Sequence, residues 1–309
     1  MRFKFCVAVS FAAVSVLLGA AASDVADAAM KGNKEAVRSL LQRKANVNAP
    51  QSDGTTALHW AVRADDLETA DLLIRAGANV SAANRDGAAP LLLAAENGNA
   101  AMLETLIKAG ADPNASLTKY GDTAPMMAAR TGKTDAIKTL VDHGAQVNAK
   151  ESWGDTTGLM WAVSEQPNQP AEEHSSGLLT PLMFAAREGD LESARMFVAA
   201  GADVNAIGGD GKDALSLAIF NGNYDVASFL IDNHSKVNQA DAQRFTPLFW
   251  AVDRRNMETA PNFPWVVTAD PLPLIKKLLD AGANPNAIVN NTPRAPCETD
   301  RPESCSPQP

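Results

Sequence analysis

An all-α solenoid of stacked helix pairs is the fold class predicted here, and three recurrences predict it. An alanine returns in one register, at Ala61, Ala94, Ala128, Ala162, Ala185, Ala218 and Ala251, with spacings of 33, 34, 34, 23, 33 and 33 residues. An apolar pair follows later in the period, for example Leu73/Ile74, Leu106/Ile107, Leu140/Val141, Phe197/Val198 and Leu230/Ile231. Each pair then runs into a stop and a turn, as in RAGANVSA, KAGADPNA and AAGADVNA. A period near 33 residues belongs to arrays whose unit is too small to bury its own apolar face, so that stacking on neighbours supplies the core.

Each element of the unit has a physical reason. Thr56, Thr180 and Thr246 can cap the open amides of the first helix, and Pro181 and Pro247 then occupy the first turn, where no amide hydrogen bond is lost. The recurrent alanine lets two helices approach closely, and the apolar pair of the second helix seals against the next unit. Glycine then suits a left-handed helix end, and Asn or Asp the tight turn that follows. Lys44 and His234 stand where that glycine is usual, which costs up to about 1 kcal/mol each if the left-handed geometry is kept. Ser23 or Asp24 opens the first helix.

Eight units follow at about 24–52, 53–85, 86–119, 120–152, 153–176, 177–209, 210–242 and 243–287, so the array fills 23–287. The segment TPLMFAAREGDLESARMFVAAGADVNA, residues 180–206, resembles a nearly complete ankyrin repeat, and its opening, mid-unit glycine and closing turn recur in phase from about 24 to 287. That resemblance implies a non-catalytic framework that binds a protein partner through its turn tips and concave helix face, with no cofactor. It also implies that His59, in the T-A-L-H register, bonds loop backbone groups. Ankyrin arrays serve many unrelated targets, so the fold does not name the partner.

Two units depart from the pattern. Unit 153–176 continues as SEQPNQPAEEHSSGL and meets the next unit ten residues early, which predicts a degenerate repeat, or a hinge between 24–152 and 177–287 where one interface is missing. Unit 243–287 carries an insertion at about 257–271, METAPNFPWVVTADP, between its two helices. Its Phe263 and Trp265 either cover the end of the stack or form a binding loop.

The N-terminus MRFKFCVAVSFAAVSVLLGAAAS has two cations, an apolar run and then small residues, the layout of a signal peptide over 1–22 cleaved near Ala22. A periplasmic or secreted protein is expected, with no membrane attachment once the signal is removed. A disordered tail is expected over 288–309, where Cys297 and Cys305 could pair in an oxidising compartment. A formal charge of −9 without a Lys/Arg run argues against nucleic acid.

No catalytic or metal motif is present. His59, His143, His174 and His234 have no second His at helical spacing, and Gly208-Gly209-Asp210-Gly211 falls in an inter-unit turn rather than a phosphate loop. Two sets of partner-contact candidates remain on what is expected to be a monomer. One is the turn-tip set Tyr120, Trp153, Arg244 and Phe245, whose aromatic-plus-arginine composition is that of interface hot spots. The other is the stripe just before the recurrent alanine, Trp60, Trp161, Phe184 and Trp250, which is either framework packing or an open aromatic strip on the concave face. Besides a binding scaffold, a secreted host-directed effector and a periplasmic accessory protein protecting a partner enzyme fit the same features.

Overall fold

The computed structural model describes residues 23–115, 118, 121–151, 177–257 and 270–287. Among these it contains fourteen α-helices and no strand, an all-α repeat solenoid as the periodicity predicts. The chain divides into two compact units, one ending at Asn79 and the other beginning at Val80.

The first unit holds two helix pairs, α1 (Asp24–Met30) with α2 (Lys34–Gln42) and α3 (Ala57–Arg63) with α4 (Leu67–Arg75). α1 packs on α3 and α2 on α4, burying Val25, Val37, Leu58, Val62 and Leu73. Asn33 and Asp66 cap α2 and α4 by accepting from Ala36 N and Thr69 N.

The second unit repeats that arrangement five times. Its pairs are α5 (Pro90–Asn97) with α6 (Ala100–Lys108), α7 (Ala124–Arg130) with α8 (Thr134–Asp142), α9 (Pro181–Glu188) with α10 (Leu191–Ala199), α11 (Ala214–Phe220) with α12 (Tyr224–Asp232), and α13 (Pro247–Met257) with α14 (Leu272–Asp280). The first helices pack in the order α5, α7, α9, α11, α13, and the second helices in the order α6, α8, α10, α12, α14. Met102, Leu103, Leu106, Met126, Ile137, Leu140, Leu182 and Phe197 form the fully buried core. Ala94, Ala128, Ala185, Ala218 and Ala251 are all 0% exposed, because a larger side chain there would push adjacent first helices apart.

Thr180 and Thr246 accept from Met183 N and Phe249 N at 3.3 Å, the expected caps. At Thr56 the amide donates in return to His59 Nδ1 at 3.1 Å, the reciprocal bond of a capping box. Where other repeats put methionine in the histidine position, the thioether takes over as a weak acceptor, from Thr123 N to Met126 at 3.4 Å and from Thr180 N to Met183 at 3.5 Å.

A ladder of asparagines joins successive repeats. Within the first unit Asn48 donates to Gly77 O at 2.9 Å and accepts from Asn79 N at 2.7 Å. In the second, Asn114 grips Gly144 and Gln146, Asn205 grips His234 and Lys236, and Asn238 grips Gly282 and Asn284 in the same two-bond fashion. The carbonyl each amide seeks is freed by the left-handed residue that ends the second helix. Lys44 and His234 adopt that conformation too, at φ of 58° and 66°. Lys44→Gly and His234→Gly are each expected to raise stability by about 1 kcal/mol, read as a shift in the denaturation midpoint.

The ladder bears on the hinge expected at unit 153–176. Asn148 donates to Gly201 O at 3.1 Å and accepts from Asp203 N at 2.7 Å, so repeat 120–152 is joined directly to repeat 177–209. The turn agrees: Gln51, Asn84, Gly208 and Asp241 each donate their amide to the carbonyl four residues on, and Glu151 in the same register donates to Leu179 O at 3.2 Å. α9 packs directly on α7 and α10 on α8, so the interface whose loss argued for a hinge is present. Residues 152–176 themselves lie outside the described residues, as do the signal segment 1–22, most of the 257–271 insertion and the tail 288–309. Deleting 153–176 is therefore expected to leave the cooperative thermal transition within a few degrees of the parent; loss of that transition would show that the segment belongs inside the stack.

Candidate functional site

The most distinctive surface of the second unit is built where the 208–212 turn and α11 meet the 238–246 turn and α13. Gly211 and Arg244 both sit at positive φ, 79° and 68°, and fold the two turns tightly. A Cβ on Gly211 would lie 2.7 Å from Ala242 N, the amide that donates to Asp210 O, so only glycine allows the turns this close.

Asp241 is the hub. Its carboxylate is fully buried and accepts from Gln243 N at 3.0 Å, Phe245 N at 2.8 Å and Trp250 Nε1 at 3.1 Å. Lys212 Nζ donates to Asp210 at 2.9 Å, lies 3.7 Å from Asp241, and stands 5.8 and 5.6 Å from the ring centroids of Phe220 and Trp250. Cation–π attraction and two carboxylates hold an ammonium that is only 12% exposed.

Four rings close over this polar centre. Phe245 stacks on Phe249 at 4.2 Å, while Phe220, Phe245 and Phe249 meet the Trp250 ring edge-on at 5.0, 5.0 and 5.6 Å. Phe220 is 37% exposed, Phe245, Phe249 and Trp250 are half-buried, and Val252 beside them is 41% exposed. Aromatic pairing and the Asp241 bond to the indole fix these rings in one geometry.

The predicted candidates fall in different places. Arg244 is exposed at the turn tip with its amide bonded to Asp241 O at 2.8 Å, next to Phe245 and joined to Trp250 through Asp241. Trp60, in the first unit, is half-buried; its indole donates to Gln51 Oε1 at 2.8 Å and Arg63 covers its ring at 5.5 Å. Phe184 is 4% exposed beneath the Arg187 guanidinium at 4.9 Å, so at this position the stripe is packing and not an open strip. Tyr120, Trp153, Trp161, Phe263, Trp265, Cys297 and Cys305 lie outside the described residues.

Sequence reasoning missed Lys212, Phe220, Asp241 and Phe249. One signal was available for Phe220. It occupies the register that holds Arg63, Arg130 and Arg187 in other repeats, and an aromatic there is not required by packing.

Comparison with known proteins agrees with the geometry. A family model described as ankyrin repeats (3 copies) matches residues 25–116, 91–172 and 175–261. A search of curated proteins returns no match. Stacked helix pairs, the asparagine ladder and family matches that together span most of 25–261 place this chain in the ankyrin-repeat family.

Proposed function

We propose that the chain is an exported, non-catalytic scaffold that binds a protein partner through the aromatic surface of its last two repeats. The observation carrying this reading is that, within the second unit, the stripe position is buried at Leu93, Met127, Phe184 and Leu217 but half-exposed at Trp250, where Phe220, Phe245 and Phe249 join it. Hot spots are enriched in such rigid rings with arginine nearby, and Arg244 is adjacent. Rings already fixed in place lower the ordering cost of association. The N-terminal MRFKFCVAVSFAAVSVLLGAAAS supports export, to the periplasm or beyond.

Affinity capture from the native source with tagged wild-type protein and with Phe220→Asp tests the surface. Retention of a partner by the wild type and its loss from an equally stable Phe220→Asp protein is expected. Identical captures by both would put the binding surface elsewhere. Mass spectrometry of the native protein checks export, with a mature N-terminus near Ser23 expected and an intact Met1 against it.

A further inference from the structure

Along the first helices of the second unit, the residue three positions after each stripe residue lies on the same helical face. On α5, α7, α9, α11 and α13 that position reads Glu96, Arg130, Arg187, Phe220 and Asp253. Successive first helices are packed side by side, so these five form a row of acid, two bases, aromatic, acid.

Arg130 is exposed, with its guanidinium against Met127 Sδ at 3.0 Å. Arg187 is half-exposed above Phe184 and is paired through Nε with Glu188 at 3.0 Å, a surface ion pair that a carboxylate ligand can replace at small cost. Glu151 is within electrostatic reach of both arginines but is buried, so beside α7 and α9 the two guanidinium groups face outward against the exposed carboxylate of Glu188, an excess of positive charge. In a chain of net charge −9 such a local inversion marks complementarity to an acidic ligand. The row then passes into the Phe220/Trp250 cluster, with Arg244 at the turn tip and Asp253 at the far end of the row.

We infer that this face binds an extended acidic peptide segment of a partner protein, with carboxylates over Arg130 and Arg187 and an apolar anchor on Phe220 and Trp250. This rests on the scaffold reading above and specifies its partner chemistry. Helices packed about 8–10 Å apart put Arg130 roughly 25–30 Å from Trp250, a span of about eight or nine extended residues. The anchor lies about three residues beyond the nearer carboxylate, since Arg187 and Phe220 are on adjacent helices. Glu96 and Asp253 bound the row with negative charge and disfavour a segment whose acidic stretch runs past either end.

The test selects binding peptides from a displayed random ten-residue library on the full chain, then measures them by fluorescence anisotropy. Expected are peptides with two acidic residues followed at about three-residue spacing by Leu, Phe or Trp. Their affinity should fall about tenfold or more in both the double variant Arg130→Glu/Arg187→Glu and in Phe220→Ala, and should weaken with added salt. Circular dichroism melts confirm that these surface variants remain folded. Basic or uncharged selected peptides, acidic peptides indifferent to the double variant, or an empty selection would overturn the inference. The scaffold proposal would stand in each case if Phe220→Asp still lost the captured partner.

Discussion

Asp241→Ala is expected to cost about 3–5 kcal/mol, the largest single-residue loss at the candidate site. The carboxylate accepts from two backbone amides and the Trp250 indole and faces the Lys212 ammonium, and it is shut off from water. Alanine leaves a nearly buried ammonium with Asp210 alone and three N–H donors without their acceptor. Asp241→Asn keeps an acceptor oxygen and should lose much less. Denaturant unfolding followed by circular dichroism, with Trp250 fluorescence as a local reporter, measures both. A loss below about 1 kcal/mol for Asp241→Ala would mean that the aromatic cluster holds itself together without the hub.

Glu151→Gln should instead stabilise the protein at neutral and alkaline pH. Glu151 is 7% exposed, and burial, helped by the nearby Asp122 carboxylate, pushes its pKa up from the ordinary 4.5 to about 7 against the weaker pull of a backbone amide, Arg187 and Arg130. The folded chain therefore holds a proton that the unfolded chain releases between about pH 4.5 and 7, and stability falls as pH rises through that window. Above it the ionised, buried carboxylate costs up to about 3 kcal/mol. The glutamine variant should show a flatter profile from pH 4.5 to 7 and a higher midpoint at pH 8, while matching the parent near pH 4. Parallel pH profiles for the two proteins would show that Glu151 is solvated in the folded state. Asp213, the buried cap of α11 whose Oδ1 accepts from Ser216 N at 2.7 Å, is likewise raised by burial, and it is unaltered in this comparison.

The backbone of the repeat was legible in the sequence because it answers to local rules. Threonine or aspartate caps, proline in the first turn, close-packed alanine and a left-handed stop each leave a residue at a fixed spacing. Which repeat packs next on 120–152 was not legible, because TTGLMWAV at 156–163 has the composition of a first helix. That answer lay in Asn148, whose partners Gly201 and Asp203 are more than fifty residues away. The site was half legible for the same reason. Arg244, Phe245 and Trp250 stood out as large side chains in recurring registers, whereas Lys212, Phe220 and Asp241 acquire meaning only when two turns from successive repeats close on each other. For Phe184 the stripe left packing and exposure both open, and its burial beneath the Arg187 guanidinium decides for packing at that position.

The central claim, that this ankyrin stack contacts its partner through the first-helix and turn surface of its last two repeats, is tested most directly by site-specific photo-crosslinking in the native host. A photoreactive residue is placed at 220 or 244 in the cluster, or at 192 on the exposed side of α10 as a control. Cross-links to one common protein from 220 and 244, and none from 192, are predicted. Cross-links from 192 alone, or equally from all three positions, would contradict it.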